Sequence, residues 1–208
     1  MSGDFDMELP NRGDDRPGLD DLDDLDELDE AATPDGDDAD ADEDDYPDDA
    51  GEDDIDLVVA AYREDGQPTV IALDLDLAND LDGLIGHLRR IPGDGGALGM
   101  VSLAAEMFAL VRVRGKHVQV FLSDVVAAAD WPIARDIVEY LGLEVPNDDE
   151  DSYPVGDLDI LADAGLPDFE LEAIAGEYEE DTSTLLERVA TRVKFGPEFA
   201  RAVAAAFD

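Results

Sequence analysis

The hydrophobic pattern of the chain changes at Ile55. From this residue onward, apolar runs of strand length alternate with segments in which apolar residues recur every three or four positions. The order of these segments, β-β-α-β-β-β-α, is typical of an α+β fold with a small, mostly antiparallel sheet. The pattern predicts strands at residues 55–62, 69–73, 99–103, 107–114 and 117–122, and helices at 80–90 and 130–141.

The segments on either side of this α+β domain (residues 55–145) have different patterns. Residues 1–54 are rich in Asp, Gly and Pro, and we expect a disordered acidic arm, because such a segment buries too little apolar surface to offset chain entropy. Residues 146–156 are predicted to be an acidic linker. Residues 157–208 return to helical spacing and predict a helical C-terminal region, in which Thr182 or Thr184 can cap one helix.

Leucines interrupt the acidic arm at intervals of three residues. They are Leu19, Leu22, Leu25 and Leu28. Two interpretations remain open for them: a solvated acidic run with scattered leucines, or an amphipathic segment that folds on a partner.

The charge of the chain restricts its partners. It carries 57 acidic and 13 basic residues, a formal net charge of −44. Residues 1–54 hold 26 acidic and 2 basic side chains, and residues 55–208 hold 31 and 11, so the folded part is also acidic. Such a surface repels nucleic-acid phosphates and anionic membranes, because binding them requires Lys and Arg. We therefore expect basic protein surfaces as partners, without direct binding to nucleic acid or membranes.

Several kinds of chemistry are excluded by residues that the chain lacks. It contains no cysteine, which excludes disulfides, thiolate catalysis and Cys-ligated metals. The two histidines, His87 and His117, lie in no recognisable catalytic or metal-binding motif, and we expect no cofactor. No apolar run is long enough to span a membrane and no signal peptide is visible, so a cytoplasmic location is expected.

A small basic cluster stands out against this acidic background. Arg112, Arg114 and Lys116 lie within five positions on the hairpin of the last two predicted strands. Strand alternation places both arginines on the same face of the sheet. Basic residues of this kind occur on solvated sheet faces and protected sheet edges. The alternative is a contact site for a partner protein or for the acidic arm itself, which would loosen at high salt.

Several segments of the chain resemble one known family. They are the opening strand Val58–Tyr62, the Leu73–Leu75 segment before an acidic helix, Val120–Asp124 followed by alanines, and Asp159–Leu166 after the acidic linker. In order and character they are similar to the tRNA adenosine deaminase-associated proteins of actinobacteria, over about residues 55–208. The resemblance implies association with a deaminase that converts adenosine to inosine at a tRNA wobble position, and it implies no catalytic residues.

Deaminase activity itself is not expected of this chain. Adenosine deamination requires a zinc ion held by His and Cys beside a Glu that transfers the proton, in the pattern H-x-E…P-C-x-x-C. The chain has no Cys, and Leu88 and Arg89 follow His87. The sequence therefore predicts a non-catalytic accessory or regulatory protein of a tRNA adenosine deaminase, acting through protein–protein contacts. The alternatives are a general acidic binding module, or an enzyme with an unrecognised carboxylate site, which requires a deep pocket and an Asp or Glu with a perturbed pKa.

Overall fold

The sheet contains one strand more than the sequence predicts. The computed structural model describes residues 46–93, 95–146 and 151–207. Within these residues the strands lie in the order β2-β1-β3-β4-β5-β6, and every neighbouring pair is antiparallel. The strands are Ile55–Glu64 (β1), Gln67–Ala72 (β2), Ala97–Leu103 (β3), Met107–Arg114 (β4), His117–Leu122 (β5) and Val155–Gly156 (β6).

The helices confirm the α+β class and the helical C-terminal region. Helices α1 and α2 occupy the two helical positions that the apolar spacing predicts, and α3, α4 and α5 follow β6. Short 3₁₀ helices cover residues 75–78, 126–129 and 162–164. The α-helices are Leu81–Leu88 (α1), Pro132–Tyr140 (α2), Asp168–Ala175 (α3), Thr182–Arg192 (α4) and Gly196–Ala206 (α5).

Helices cover both faces of the sheet. On one face, α1 and α2 pack against buried strand residues such as Val58, Val111 and Leu122. On the opposite face, α3, α4 and α5 pack against alternate strand residues such as Val59 and Leu110. Because successive residues of a strand point to opposite faces, a sheet covered on both sides is apolar at nearly every position. Strand β3 shows this directly, since all of its residues are buried.

A glycine in β3 allows α1 to pack closely on the sheet. An added Cβ at Gly99 would lie 3.0 Å from Leu88 Cδ1 and 3.5 Å from Leu84 Cδ1. Both leucines are buried on the apolar face of α1. The carboxylate of Asp80 caps the start of the helix, because it accepts a hydrogen bond from Gly83 N at 2.8 Å.

Helix α4 is attached to the sheet by a buried polar contact. The hydroxyl oxygens of Ser102 and Thr182 lie 2.6 Å apart, and Ser102 Oγ donates to Asp56 Oδ2 at 2.9 Å. The N-cap of α4 is Asp181, which accepts a hydrogen bond from Ser183 N at 2.9 Å. The prediction of a threonine cap is therefore wrong, because the carboxylate one residue earlier caps the helix and Thr182 turns its hydroxyl to the sheet.

Contacts with the α+β domain begin before the predicted boundary at Ile55. The hydroxyl of Tyr46 donates to Asp136 Oδ1 of α2 at 2.7 Å. The backbone of Ala50 forms two hydrogen bonds with the Asn79 side chain, at 2.8 and 3.0 Å. Residues 1–45 of the predicted acidic arm, with its four evenly spaced leucines, lie outside the described residues.

The sixth strand lies within the predicted acidic linker. Val155–Gly156 pairs with the C-terminal end of β5. Gly156 has a φ of 103°, and an added Cβ would lie 2.3 Å from Val120 O, so glycine is the residue that fits this close approach. Residues 147–150 of the linker lie outside the described residues. The described end of the linker thus extends the sheet and leads the chain to the face covered by α3, α4 and α5.

Candidate functional site

The antiparallel register brings dispersed basic residues to one end of the sheet. This end carries the β1–β2 turn, the start of β3 and the β4–β5 turn. The connection from α1 to β3 also lies here, as does the loop after α4. We call this region the basic end and define it by Arg63, Arg89, Arg112, Arg114, Lys116 and Lys194.

One carboxylate binds two of the three predicted contact residues. Arg112 Nη2 donates to Asp163 Oδ2 at 3.0 Å, while Nη1 donates to Asp163 Oδ1 and to Ile160 O. Arg114 donates to Asp163 Oδ2 at 3.2 Å and to Gln119 Oε1 at 2.9 Å. The hydrogen bond from Arg112 is the main reason that the pKa of Asp163 lies below its ordinary value. This carboxylate is therefore ionised at neutral pH.

These contacts give Arg112 a role within the fold. Its side chain is only 12% exposed, and its bonds attach the segment that follows β6 to strand β4. Arg114 is more open, with 38% of its side chain exposed, and Lys116 is exposed in the β4–β5 turn. That the three residues contact a partner or the acidic arm stays a prediction, and Arg114 and Lys116 are the more accessible of them.

A cavity opens beside Arg112 at the basic end. Its volume is about 540 Å³, within the range of small-molecule sites, roughly 300–1,000 Å³. Arg63 from β1 and Lys194 from the loop after α4 line it together with Arg112. The Arg63 guanidinium lies 4.7 Å from the ring centre of Phe195, a cation–π distance, and donates to Val193 O at 3.2 Å. Sequence reasoning missed Arg63 and Lys194 because each is an isolated basic residue far from the hairpin.

The basic end also differs from the rest of the described chain because several of its cations form no ion pair. Arginines elsewhere form ion pairs with Asp or Glu, as Arg135 does with Glu139 and Arg188 with Glu177. In the part of the chain that the structure describes, five cations form no ion pair: Arg63, Arg89, Arg90, Lys116 and Lys194. All five lie in turns, connections or strand ends at or beside the basic end. In a chain with 57 acidic residues, this region is a local exception.

A second distinctive surface lies at the opposite end of the sheet. Tyr178 is 58% exposed and Tyr153 is 48% exposed. The Tyr178 hydroxyl donates to Ser152 O at 3.3 Å, which places Tyr178 beside the segment that carries Tyr153. Carboxylates from three parts of the chain share a small groove with Tyr178. We call this region the acidic–tyrosine surface and define it by Tyr153, Tyr178, Glu106, Asp124, Glu177 and Glu180.

The carboxylates of this surface are partly engaged in the fold. Glu177 binds Arg188 at 2.5 and 2.8 Å, which lowers the pKa of Glu177 and raises that of Arg188. Asp124 accepts a hydrogen bond from Val126 N at 2.9 Å. Glu106 and Glu180 are exposed. The surface therefore combines exposed aromatic area with negative charge, a composition suited to a protein partner.

The described residues contain no cluster suited to a metal ion, and the carboxylate at the cavity is held in ion pairs. No three His, Cys, Asp or Glu side chains among the residues that the structure describes are placed to hold a metal ion. No described helix is long and apolar enough to cross a membrane. The carboxylate at the cavity, Asp163, is bound by two arginines and has a lowered pKa, whereas acid–base catalysts commonly have a pKa nearer the working pH.

Fold and surface together define the class of the protein: an acidic α+β protein whose antiparallel sheet is covered by helices on both faces, with a cluster of basic side chains at one end and exposed tyrosines and carboxylates at the other. A comparison with known families is more specific. Residues 56–196 match the model of the Rv3753c-like tRNA adenosine deaminase-associated protein family. The match spans well over half of the chain, and the chain belongs to this family. The family resemblance inferred from the sequence is thereby confirmed.

One curated relative agrees with this assignment. Over 148 residues the chain is 30% identical to Protein Rv3753c of Mycobacterium tuberculosis (strain ATCC 25618 / H37Rv). The matched region covers 70% of this chain and 86% of the relative. No solved structure matches the chain.

Proposed function

We propose that this protein is a non-catalytic accessory or regulatory partner of a tRNA adenosine deaminase, and that it binds the enzyme through the acidic–tyrosine surface. The family description supports the identity of the partner, since it names association with that enzyme. The observation that carries the mode of binding is the exposure of Tyr178 among carboxylates, with the exposed Tyr153 next in sequence to its hydrogen-bond partner Ser152. The partner surface is the positively charged face with which the deaminase binds tRNA.

Charge complementarity supports this choice of partner surface. An enzyme that binds tRNA needs Lys and Arg to displace counterions from the phosphates. A protein with a net charge of −44 is attracted to such a surface over long distances, which accelerates their association. It also competes with tRNA for the same surface. The proposed regulatory role is therefore control of substrate access to the deaminase.

The tyrosines provide binding energy that charge alone does not. Charged residues at the rim of an interface increase the association rate more than the affinity, whereas buried aromatic residues dominate the binding energy. Tyr178 presents more than half of its surface to solvent and can bury it against a partner. Phe169 is 70% exposed at the opposite end of α3, outside the groove, and so offers a matched control.

The chemistry of the chain supports a non-catalytic role. The zinc site of deaminases with the H-x-E…P-C-x-x-C pattern uses cysteine ligands, and this chain contains no cysteine. The alternative of a carboxylate enzyme requires an acid or base that is free to exchange a proton in a cavity. Asp163 lines the basic-end cavity, but Arg112 and Arg114 bind it and favour its ionised form. The geometry favours a structural ion pair.

Titration calorimetry with the tRNA adenosine deaminase of the same organism tests the proposal. We expect the full-length protein to bind at low salt and more weakly as salt rises, because counterions screen the attraction. Tyr178→Ala should weaken binding about tenfold or more, the effect of removing a central interface aromatic. Phe169→Ala should leave the affinity unchanged, because its ring lies outside the interface.

A pair of charge-reversal variants tests the position of the surface. The double variant Glu106→Lys with Glu180→Lys should associate much more slowly with the deaminase. Glu172→Lys with Glu187→Lys changes the net charge equally on exposed helix positions and should have a smaller effect. The absence of binding at low salt, or equal losses from Tyr178→Ala and Phe169→Ala, would contradict the proposal. Equal affinity for an unrelated basic protein such as lysozyme would favour the general acidic binding module.

A further inference from the structure

We propose that the cavity at the basic end binds a small phosphate ester. The ligand class is a phosphomonoester with an apolar or planar body, of the size of a nucleoside monophosphate. Lys194 and Arg63 contact the phosphate, and the apolar wall of the cavity contacts the body. The site lies at the opposite end of the sheet from the acidic–tyrosine surface, so this proposal and the proposed function can fail independently.

Three separate parts of the chain build the cavity. Strand ends contribute Arg63 and Leu98, the segment after β6 contributes Leu161, and the loop after α4 contributes Lys194 and Phe195. Phe195 is buried beneath Arg63, which fixes the guanidinium at the cavity wall. With a volume of about 540 Å³, the cavity has room for a ligand of nucleotide size. The cavity is therefore a product of the tertiary structure.

The charge of the lining is positive. Arg63, Arg112 and Lys194 line the cavity against one carboxylate, Asp163. In a concave site, cations concentrate anions locally even when the whole molecule is negative. Neither Arg63 nor Lys194 forms an ion pair with any other residue in the described part of the chain. Their charge is therefore available to an anionic ligand.

Backbone strain at Lys194 is a second, independent observation. Lys194 has a φ of 67° and follows the last turn of α4, where its N–H donates to Thr191 O and that of Phe195 donates to Ala190 O. Helices commonly end in this way, with glycine at the left-handed position because a Cβ is strained there. The chain places a lysine at this position and at the cavity wall. Strain of this kind is typical of residues kept for a functional side chain.

The chemistry of the lining favours a phosphate over a single carboxylate. A phosphomonoester is nearly a dianion at neutral pH, which matches two unpaired cations. An arginine fork and a lysine ammonium are the usual protein ligands of phosphate. Leu98, Leu161 and Val193 provide apolar wall that inorganic phosphate alone would leave uncovered.

An NMR titration of the full-length, ¹⁵N-labelled protein tests the site at low salt. The probes are AMP, adenosine and inorganic phosphate. We expect AMP to shift the amide signals of Lys194, Gly96 and Leu161 in a saturable manner. Adenosine lacks the phosphate and inorganic phosphate lacks the body, so both should bind more weakly than AMP.

The variant Lys194→Gly separates binding from stability. It removes the ammonium group and relieves the strained φ, so the variant should be at least as stable as the wild type to urea. Its affinity for AMP should fall about tenfold, the effect of losing one charge-assisted hydrogen bond. Lys116→Gln removes the same charge outside the cavity and should change the affinity less than about twofold, because solvent screens the more distant charge.

Several outcomes would overturn this proposal. They are equal affinity for adenosine and AMP, signal shifts confined to residues outside the cavity, and an unchanged AMP affinity in Lys194→Gly. Failure of AMP and inorganic phosphate to bind at low salt would also overturn it. Binding of poly-glutamate at the same amides, without binding of AMP, would reassign the basic end to an acidic protein.

Discussion

At the residue scale, alanine occupies both central positions of the β3–β4 turn. Ala104 has a φ of 53° and Ala105 a φ of 55°, in the left-handed region. A Cβ in this region costs roughly 1–2 kcal/mol per residue, and β-turns whose two central residues both have a positive φ therefore prefer Asn-Gly. Asp56 partly offsets the strain, because its carboxylate accepts a hydrogen bond from Ala105 N at 2.7 Å.

This geometry predicts that the double variant Ala104→Asn with Ala105→Gly is more stable than the wild type. We expect a gain of about 1–2 kcal/mol in the free energy of unfolding, because both new residues adopt the left-handed region more readily and the substituted glycine keeps the backbone N–H that donates to Asp56. Urea unfolding followed by the fluorescence of Trp131 measures the change. An unfolding free energy equal to or below that of the wild type would disprove the strain argument.

The ion pair of Asp163 predicts a pH dependence. Because its pKa is lowered in the folded protein, its stabilising contribution is complete above the unfolded pKa of about 3.9 and is lost as pH falls through the lowered value. Asp163→Asn should therefore be less stable than the wild type at pH 7, by about 1 kcal/mol or less, since the carboxylate is 55% exposed and screened. The difference should shrink below about pH 4.

Urea unfolding at both pH values gives this comparison. Glu172→Gln is the matched control, because Glu172 is exposed on α3. A deficit of Asp163→Asn that stays the same at both pH values would show that the loss comes from packing.

The sequence pattern placed the two arginines of the hairpin correctly but did not identify the carboxylate that binds them. Alternation placed Arg112 and Arg114 on the same face of the sheet, and the structure agrees, because both bind Asp163. Asp163 lies 51 positions from Arg112 in the chain. One acidic residue among 57 carries no signal that identifies it as their partner. The cavity residue Lys194 was missed because it is an isolated basic residue, far from the hairpin in the chain.

At the element scale, two glycines with nearly equal positive φ have different surroundings. Gly156 of β6 has a φ of 103° and Gly165 after the last 3₁₀ helix has a φ of 102°. An added Cβ at Gly156 would lie 2.3 Å from Val120 O, whereas nothing lies within 4 Å of an added Cβ at Gly165. Both positions have a positive φ that is strained for a residue with a Cβ, and only Gly156 is also closely packed against a neighbouring strand.

The two alanine variants should therefore differ in stability. Gly165→Ala should cost about 1–2 kcal/mol from strain alone. Gly156→Ala should cost clearly more, because the Cβ also displaces β6 from β5. Thermal unfolding of both variants provides the comparison. Equal losses would contradict the pairing of β6 with β5.

The sequence predicted the long elements and missed the shortest one. Strands β1 to β5 are apolar runs of six to ten residues, long enough to give a clear signal. Strand β6 has two residues, follows an acidic segment and Pro154, and pairs only at the sheet edge. The strand order and the placement of α3, α4 and α5 on one face depend on contacts distant in the chain, which local patterns do not encode.

At the scale of the whole molecule, the net charge of −44 opposes compaction. We predict that NaCl stabilises the full-length protein, with a rise in the urea midpoint between about 20 mM and about 500 mM salt. Over this range the screening length falls from roughly 20 Å to about 4 Å, which weakens repulsion between carboxylates. NaCl is preferred to sulfate, which stabilises proteins by exclusion from their surface. A midpoint that stays constant or falls would show that repulsion contributes little.

Composition predicted an acidic surface. The fold shows that the basic residues and the exposed tyrosines and carboxylates lie at opposite ends of the sheet. Basic residues that are scattered along the chain meet at one end of the sheet because antiparallel pairing aligns the turns that carry them. Exposed tyrosines and carboxylates lie at the other end, where the β3–β4 turn, the segment after β5 and the connection from α3 to α4 come together. The two ends therefore suit partners of opposite charge.

The central claim is that the acidic–tyrosine surface binds a tRNA adenosine deaminase. Hydrogen–deuterium exchange of the full-length protein, with and without the deaminase at low salt, tests it most directly. We predict slower exchange in residues 151–156 and 177–181, which carry Tyr153 and Tyr178, and unchanged exchange around Lys194. Exchange that is unaffected by the deaminase, or that slows only at the basic end, would contradict the account.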